Sequence, residues 1–136
     1  MIDNRTAPYA ALLLRLSLGA LFLAHAGLKL FVFTPAGTAH YFASLGLPPT
    51  MGYVVMVWEF AGGIALILGL WPRIAALGMI PDLLGAIVLV HAHVGFFFTD
   101  PGGGWEYPGL WVVALLALAL SGDGRWAMKP TRPPGP

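Results

Sequence analysis

The sequence contains no cysteine and few charged residues. Only 10% of its 136 residues are charged and 58% are hydrophobic, whereas about 25% of the residues in an average soluble domain are charged. The missing cysteines exclude disulfide exchange, iron–sulfur clusters and thiolate-bound zinc, and we expect no metal site. A net charge of +1 without a basic stripe argues against a nucleic-acid partner. The apolar excess therefore predicts a protein whose solvent is the lipid bilayer.

Four apolar runs are the most prominent positive feature. They cover about residues 8–33, 51–70, 72–97 and 107–121, and each reaches or approaches the roughly 20 residues that a spanning helix needs. Residues 39–45, between proline- and glycine-containing turns, predict a short interfacial helix. The pattern predicts an all-α, integral membrane four-helix bundle with this interfacial segment between the first two helices. Residues 1–125 form its single domain, and residues 126–136 are expected to be a flexible, proline-rich tail.

Basic residues accumulate on one side of the predicted bundle. With four spans, both termini share a side with Arg73, whereas Lys29 is the one basic residue on the opposite side. The positive-inside rule then places both termini in the cytoplasm and the protein in the cell inner membrane. A cleaved signal peptide ending at Ala24-His25-Ala26 is the alternative. Apolar residues continue past that point to Phe33, which a cleaved leader does not need.

Carboxylates inside the apolar runs are the most informative residues. Glu59 lies near the middle of the second run, where a charge costs a few kcal/mol unless it has a partner, a proton or water. Asp82 lies near the middle of the third run, directly after Pro81. Arg15, two turns into the first run, is expected to form a buried structural charge pair with Asp82 that fixes helix register.

Other polar and aromatic residues lie toward the outer ends of the helices. Together with Glu59 they predict an outward-facing cavity of the kind that binds small molecules. Its walls are expected to be Phe22, Trp58 and residues 96–98, whereas Trp111 is assigned to an interfacial aromatic belt. Helical phase directs His93 rather than His91 toward the cavity, and both are retained. The predicted ligand-binding residues are His25, Lys29, His93, Trp105 and Glu106.

A series of short motifs runs through nearly the whole chain. They are Arg15 with Gly27-x-Lys29, Glu59-x-x-Gly62-Gly63 with Leu68-Gly69-Leu70 and Arg73, His91-x-x-x-Gly95-Phe96-Phe97, Gly104-Trp105-Glu106-Tyr107-Pro108, and Ser121-Gly122-x-Gly124-Arg125. In this order and spacing the motifs resemble the DoxX family. The resemblance implies a small four-helix inner-membrane protein with a link to quinones, and a functional pattern at Arg15, Lys29, Glu59, Arg73, His91 and Glu106. Asp82 and His93 depart from that pattern.

The leading functional hypothesis is a subunit or accessory of a quinone-linked oxidoreductase system. Glu59 and His91 are the proposed proton-transferring, catalytic pair, because reduction of a quinone takes up protons. No intrinsic cofactor is expected, and a quinone is the expected ligand. Electrons would come from a soluble or membrane redox partner protein, or from a soluble reductant. Whether the chain is itself an enzyme is left open.

Three other functions remain open. A non-enzymatic membrane anchor or assembly partner would use the intramembrane charges for structure and its cytoplasmic edge for docking. Haem b between His25 and His91 or His93 is disfavoured, since it also needs glycine clearance on both helices and a propionate partner. A small transporter is disfavoured unless the chain forms a homo-oligomer, because four spans enclose little space.

Overall fold

A computed structural model describes residues 2–132, and this part of the chain is helical without a β-strand. The all-α prediction is therefore confirmed. Three helices are long and apolar enough to cross a membrane, and a shorter apolar helix follows them. The helices are α1 (Ala7–Gly27, continued by a π-helical turn at Leu28–Val32), α2 (Pro35–Ser44), α3 (Thr50–Leu68), α4 (Pro72–Ala86, continued by a π-helical turn at Ile87–His91) and α5 (Glu106–Ser121).

Prolines and glycines define where the helices begin and end. Thr34 has a positive φ of 63° and caps α2, because its Oγ1 accepts a hydrogen bond of 3.1 Å from Gly37 N. Gly69 ends α3 in the left-handed conformation at φ 70°, which costs glycine little because it has no Cβ. Pro72 begins α4, where its missing N–H would have no partner in any case. At each of these positions one helix ends and the chain turns to begin the next.

The helices pack as two groups that share a core and are joined by contact between α3 and α4. α3 packs against α1 and α2 as well, and α5 packs mainly against α4. Close approach of α1 and α3 depends on glycine: a Cβ added at Gly63 would lie 3.0 Å from Gly19 O and 2.9 Å from Leu23 Cδ2. Such small residues let membrane helices approach each other. The core between the groups contains the fully buried side chains of Phe22, Leu66 and Leu115.

The two ends of this bundle differ in what covers them. We call the end with α2, the two π-helical turns and residues 92–105 the loop end. The opposite end, with residues 2–6, 69–73 and 122–132, is the terminal end. An extended segment of residues 122–132, here called the strap, crosses the terminal end and makes an isolated bridge between Leu70 and Lys129.

The strap includes residues 126–132 of the predicted flexible tail, and Met128 and Lys129 in it are hydrogen-bonded to residues 68–71. Met128 N donates to Leu68 O at 3.1 Å, Lys129 N to Gly69 O at 3.0 Å, and Trp71 N donates to Lys129 O at 2.7 Å. These bonds pair backbone groups that the end of α3 and the start of α4 leave without intrahelical partners. The rest of the predicted tail, residues 133–136, lies outside the described residues.

Candidate functional site

A buried ion pair joins α1 to α3. Lys29 Nζ lies 2.9 Å from Glu59 Oε1 and 2.8 Å from Glu59 Oε2, so one ammonium group donates to both carboxylate oxygens. The Lys29 side chain is 18% exposed and that of Glu59 is 7% exposed. Two charges removed from water in this way remain stable only when they pair and hydrogen-bond well. Both residues were predicted from the sequence to belong to the site, and in the structure they are in direct contact.

Asp82 belongs to the same cluster. Its side chain on α4 lines the cavity together with Lys29 and Glu59. The cavity therefore holds one ammonium group and two carboxyl groups in this cluster, and one cation can neutralise only one carboxylate.

The predicted pair of Arg15 and Asp82 does not form. Arg15 is almost completely buried, but its Nη1 donates to Asp123 O at 2.8 Å and its Nη2 to Arg125 O at 3.2 Å. These backbone carbonyls belong to the strap at the terminal end, whereas Asp82 faces the cavity at the loop end. Arg15 is therefore a structural residue that joins α1 to the strap.

The two predicted histidines on the third span have different surroundings. His91 lines the cavity, and its Nδ1 lies 2.7 Å from Gly103 O in the loop that precedes α5. His93 is exposed and does not line the cavity. His25 on α1 also lines the cavity, with its ring 5.1 Å from that of Trp111. Of the four histidines, His25 and His91 are the ones at the site.

Trp105 and Glu106 stabilise the loop rather than line the cavity. Glu106 Oε1 accepts a hydrogen bond of 2.8 Å from Phe98 N, and the Trp105 ring packs 4.8 Å from that of Phe96. Neither residue lines the large cavity. Their predicted ligand-binding role is therefore not supported by their positions, because each contacts its own loop.

The cavity has a volume of about 1210 Å³. Of the predicted wall residues only Phe98 lines it; Phe22 is buried in the core, and Trp58 is half exposed and donates to Gly78 O. Residues that sequence analysis did not select form much of the wall, namely Phe42, Leu45, Leu47, Met51, Val55 and Trp111. Trp111 was assigned to the membrane interface, yet it is only 5% exposed. Its spacing from the core residues Leu115 and Leu118 on α5 is the signal that could have placed it inside.

Both π-helical turns contribute to the cavity. The first contains Lys29, whose carbonyl oxygen accepts a hydrogen bond of 3.2 Å from Thr38 Oγ1 on α2. The second contains Leu89, Val90 and His91, which all line the cavity. Such turns are rare and occur frequently at functional sites. Here they place one cation and one imidazole at the loop end of the bundle.

These features define a class of protein: an all-helical membrane protein with an apolar cavity and a cluster of ionisable groups at its floor. Comparison with known families makes the assignment more specific. The model of the DoxX family matches residues 10–92. This chain belongs to the DoxX family.

Two curated relatives cover most of the chain. "Putative oxidoreductase CatD" of Bacillus subtilis (strain 168) is 34% identical over 127 residues, which are 93% of this chain and 90% of the relative. "Uncharacterized membrane protein Rv3486" of Mycobacterium tuberculosis (strain ATCC 25618 / H37Rv) is 29% identical over 135 residues, covering 89% and 80% of the two chains. No solved structure matches the chain.

Proposed function

We propose that this DoxX-family membrane protein binds a quinone-like molecule in the loop-end cavity, as a component of a membrane oxidoreductase system. The observation that carries the proposal is the Lys29–Glu59 ion pair, with Asp82 beside it, at the floor of an apolar cavity. A few convergent polar groups in an otherwise apolar cavity are typical of sites that orient a small ligand. The word "oxidoreductase" in the name of the Bacillus relative supports the redox part of the proposal.

The cluster has the groups that reduction of a quinone needs from its protein. A quinone becomes a quinol by taking up two electrons and two protons. The Lys29 ammonium can donate a hydrogen bond to one ring oxygen, and a protonated carboxyl group of Glu59 or Asp82 can supply a proton to it. His25 and His91 line the same cavity and can return protons to the carboxylates. In the reverse direction the same groups accept protons from a quinol.

The electrons come from a separate donor in this proposal. The chain has no cysteine, so a thiol redox centre is excluded, and its ionisable groups at the cavity transfer protons only. A reduced redox partner protein or a soluble reductant would deliver the two electrons. The chain would therefore act as the quinone-binding component, and the partner would complete the reaction.

A matched pair of carboxylate variants tests the proposal. The full chain is purified in mild detergent, and the small molecules that it retains are measured by mass spectrometry. We expect a retained quinone in the wild type and about tenfold weaker retention in Glu59→Gln, because the amide no longer holds the Lys29 ammonium in place to donate to the ring oxygen, and tenfold corresponds to about 1.4 kcal/mol. Glu106→Gln is the control, since the Glu106 side chain does not line the cavity and accepts its hydrogen bond from a backbone N–H group, that of Phe98.

Two results would contradict the proposal. The first is a wild-type protein without any quinone, both as purified and after incubation with menadione. The second is equal loss in Glu59→Gln and Glu106→Gln, which would mean that general destabilisation rather than the site decides retention. A Soret band in the purified protein would replace the quinone by haem, with His25 and His91 as the axial ligands to test.

An assembly role is the second candidate function. The terminal end exposes Trp126 and Met128, while Arg125 and Lys129 lie over the rings of Tyr9 and Trp71 at 5.4 and 5.1 Å. Aromatic residues, methionine and arginine are enriched where proteins bind each other. Co-purification of a soluble redox enzyme with the wild type, and its loss in Trp126→Ala, would support this role. Unchanged co-purification in that variant would contradict it.

A further inference from the structure

We infer that the cavity takes a lipid-soluble quinone with an apolar tail and an uncharged ring, which enters sideways from the bilayer between α2 and the π-helical turn after α4. This inference rests on the proposed function and names the class of its ligand and the route of entry. Three independent features of the cavity support it, namely its size, the distribution of its polar groups and the composition of its opening.

The size of the cavity exceeds what a ring alone requires. Its volume of about 1210 Å³ lies above the range of about 300–1,000 Å³ that is typical of pockets for drug-sized ligands. A quinone ring without substituents is smaller than such ligands and would leave most of this space empty. A ligand that fills the site therefore needs a substantial further part, and the surroundings of the remaining space decide its chemistry.

Three ionisable groups gather at the floor of the cavity. Lys29, Glu59 and Asp82 lie there, and the wall also has polar groups at Thr38, His91 and Asp100. Most of the remaining wall is apolar, with side chains such as those of Phe42, Leu45, Leu47, Met51, Val55 and Leu89. A ligand that satisfies both parts has a hydrogen-bonding ring and an apolar chain. Because the floor contains two carboxyl groups and one ammonium group, an anionic head group would face an excess of negative charge. An uncharged head group avoids this repulsion.

The opening of the cavity is apolar. Tyr41 on α2, Met51 at the start of α3 and Leu89 on the π-helical turn line the cavity, yet they are 47%, 41% and 41% exposed. α2 packs against α3 and the end of α1, while the π-helical turn with Leu89 continues α4. The opening is therefore bordered by α2 and the start of α3 on one side and by this turn on the other. Exposed apolar side chains at such a border suit contact with lipid chains better than contact with water.

Two quinones that differ only in the tail separate this inference from the proposed function. The full chain is placed in nanodiscs that contain equal mole fractions of menadione, which has no tail, or menaquinone-4, which has the same ring with an isoprenoid tail. Native mass spectrometry then gives the occupancy of each. Palmitate serves as an anionic, tailed probe.

Tryptophan at the opening is the discriminating change. We expect Leu89→Trp to lower the occupancy of menaquinone-4 about tenfold, because the larger side chain fills the space of the tail. Menadione occupancy should change less than about twofold, since the floor is unaltered. Val88→Trp is the matched control, because Val88 lies on the same turn, is exposed and does not line the cavity. Met51→Trp provides a second test from the α3 side if Leu89→Trp does not fold.

The outcomes distinguish the two ideas. Equal loss of both quinones in Leu89→Trp, or no loss of menaquinone-4 in Leu89→Trp and Met51→Trp, would overturn the sideways entry of a tailed ligand while menadione binding upholds the proposed function. Palmitate retained as tightly as menaquinone-4 would overturn the requirement for an uncharged head. Absence of both quinones from the wild type would overturn the proposed function itself, and this inference with it.

Discussion

Each end of the bundle buries a cation, Lys29 at the loop end and Arg15 at the terminal end, and the two cations have different partners. Lys29 pairs with the carboxylate of Glu59, and the carboxyl group of Asp82 lies nearby. Arg15 donates to two backbone carbonyls of the strap, which can neither move away nor take up a proton. The partners of Lys29 are therefore groups that can exchange a proton, whereas the two partners of Arg15 are not.

The two ends also differ in how closely they are packed. The loop end contains an open cavity of about 1210 Å³ and two π-helical turns. At the terminal end, a Cβ added at Gly124 would lie 2.8 Å from Leu12 N, so the strap lies directly against α1. Such close packing stabilises the bundle at this end. Variants at each end can test whether the terminal end mainly determines stability and the loop end mainly determines ligand binding.

The largest effect on stability is expected from Arg15→Met. The change removes two hydrogen bonds that a charged group donates to buried carbonyls, and the free energy of unfolding should fall by about 3 kcal/mol. Thermal unfolding of the purified protein in mild detergent measures the effect. Arg5→Met is the control, because Arg5 is exposed at the same end and its loss should change stability by less than about 0.5 kcal/mol.

Arg15→Met should leave quinone binding unchanged although it lowers stability. The fraction of the variant that remains folded should bind quinone as the wild type does, because Arg15 does not line the cavity and donates its hydrogen bonds to the strap. If quinone retention falls as steeply as in Glu59→Gln while the variant stays folded, the two ends are coupled and their division of roles is wrong.

The sequence predicted the helices better than the partners of the intramembrane charges. Apolar runs and prolines identify spanning helices directly, since length and hydropathy are sequence properties. The partners of Arg15 are backbone carbonyls near residue 124, and a carbonyl group leaves no signature in the sequence. Their position depends on the path of the strap, which a proline-rich composition suggested would be flexible.

Helical phase pointed to His93 and the family resemblance to His91, and the structure places His91 at the cavity. A regular helix turns 100° per residue, and on such a helix His93 shares the face of Asp82. The π-helical turn at Ile87–His91 contains more residues per turn, so side chains after it are rotated relative to the regular pattern. His91 therefore faces the cavity. A second π-helical turn, at Leu28–Val32, contains Lys29. Regular helical periodicity therefore predicts side-chain directions least well at the two turns that contribute to the site.

A smaller effect is expected from alanine at two glycines that differ in their surroundings. Gly63→Ala places a Cβ against Leu23 and the Gly19 carbonyl, and this overpacking should lower stability by about 2 kcal/mol. At Gly27, toward the loop end, a Cβ meets nothing within 4 Å, and alanine should raise stability by up to about 1 kcal/mol through its helix propensity. Thermal unfolding of both variants measures the difference. Equal destabilisation would mean that helix packing is as close at the loop end as at the centre of α1 and α3.

The smallest effect is a dependence of strap stability on acid pH. Burial alone would raise the pKa of Asp123, but hydrogen bonds from Thr131 and Arg132 and the charge of Arg73 outweigh it and hold the pKa below its ordinary value of 3.8. A carboxyl group whose pKa is lower in the folded state stabilises that state above the ordinary pKa, and this contribution is lost as the pH falls through the folded-state pKa. Wild-type stability should therefore decrease below about pH 4, and Asp123→Asn should decrease less over the same interval. Because Asp123 is partly exposed at the terminal end, the loss should leave quinone occupancy per folded molecule unchanged. If Asp123→Asn loses stability in acid as steeply as the wild type, the acid sensitivity arises elsewhere, and the carboxyl groups at the loop end are the next to test.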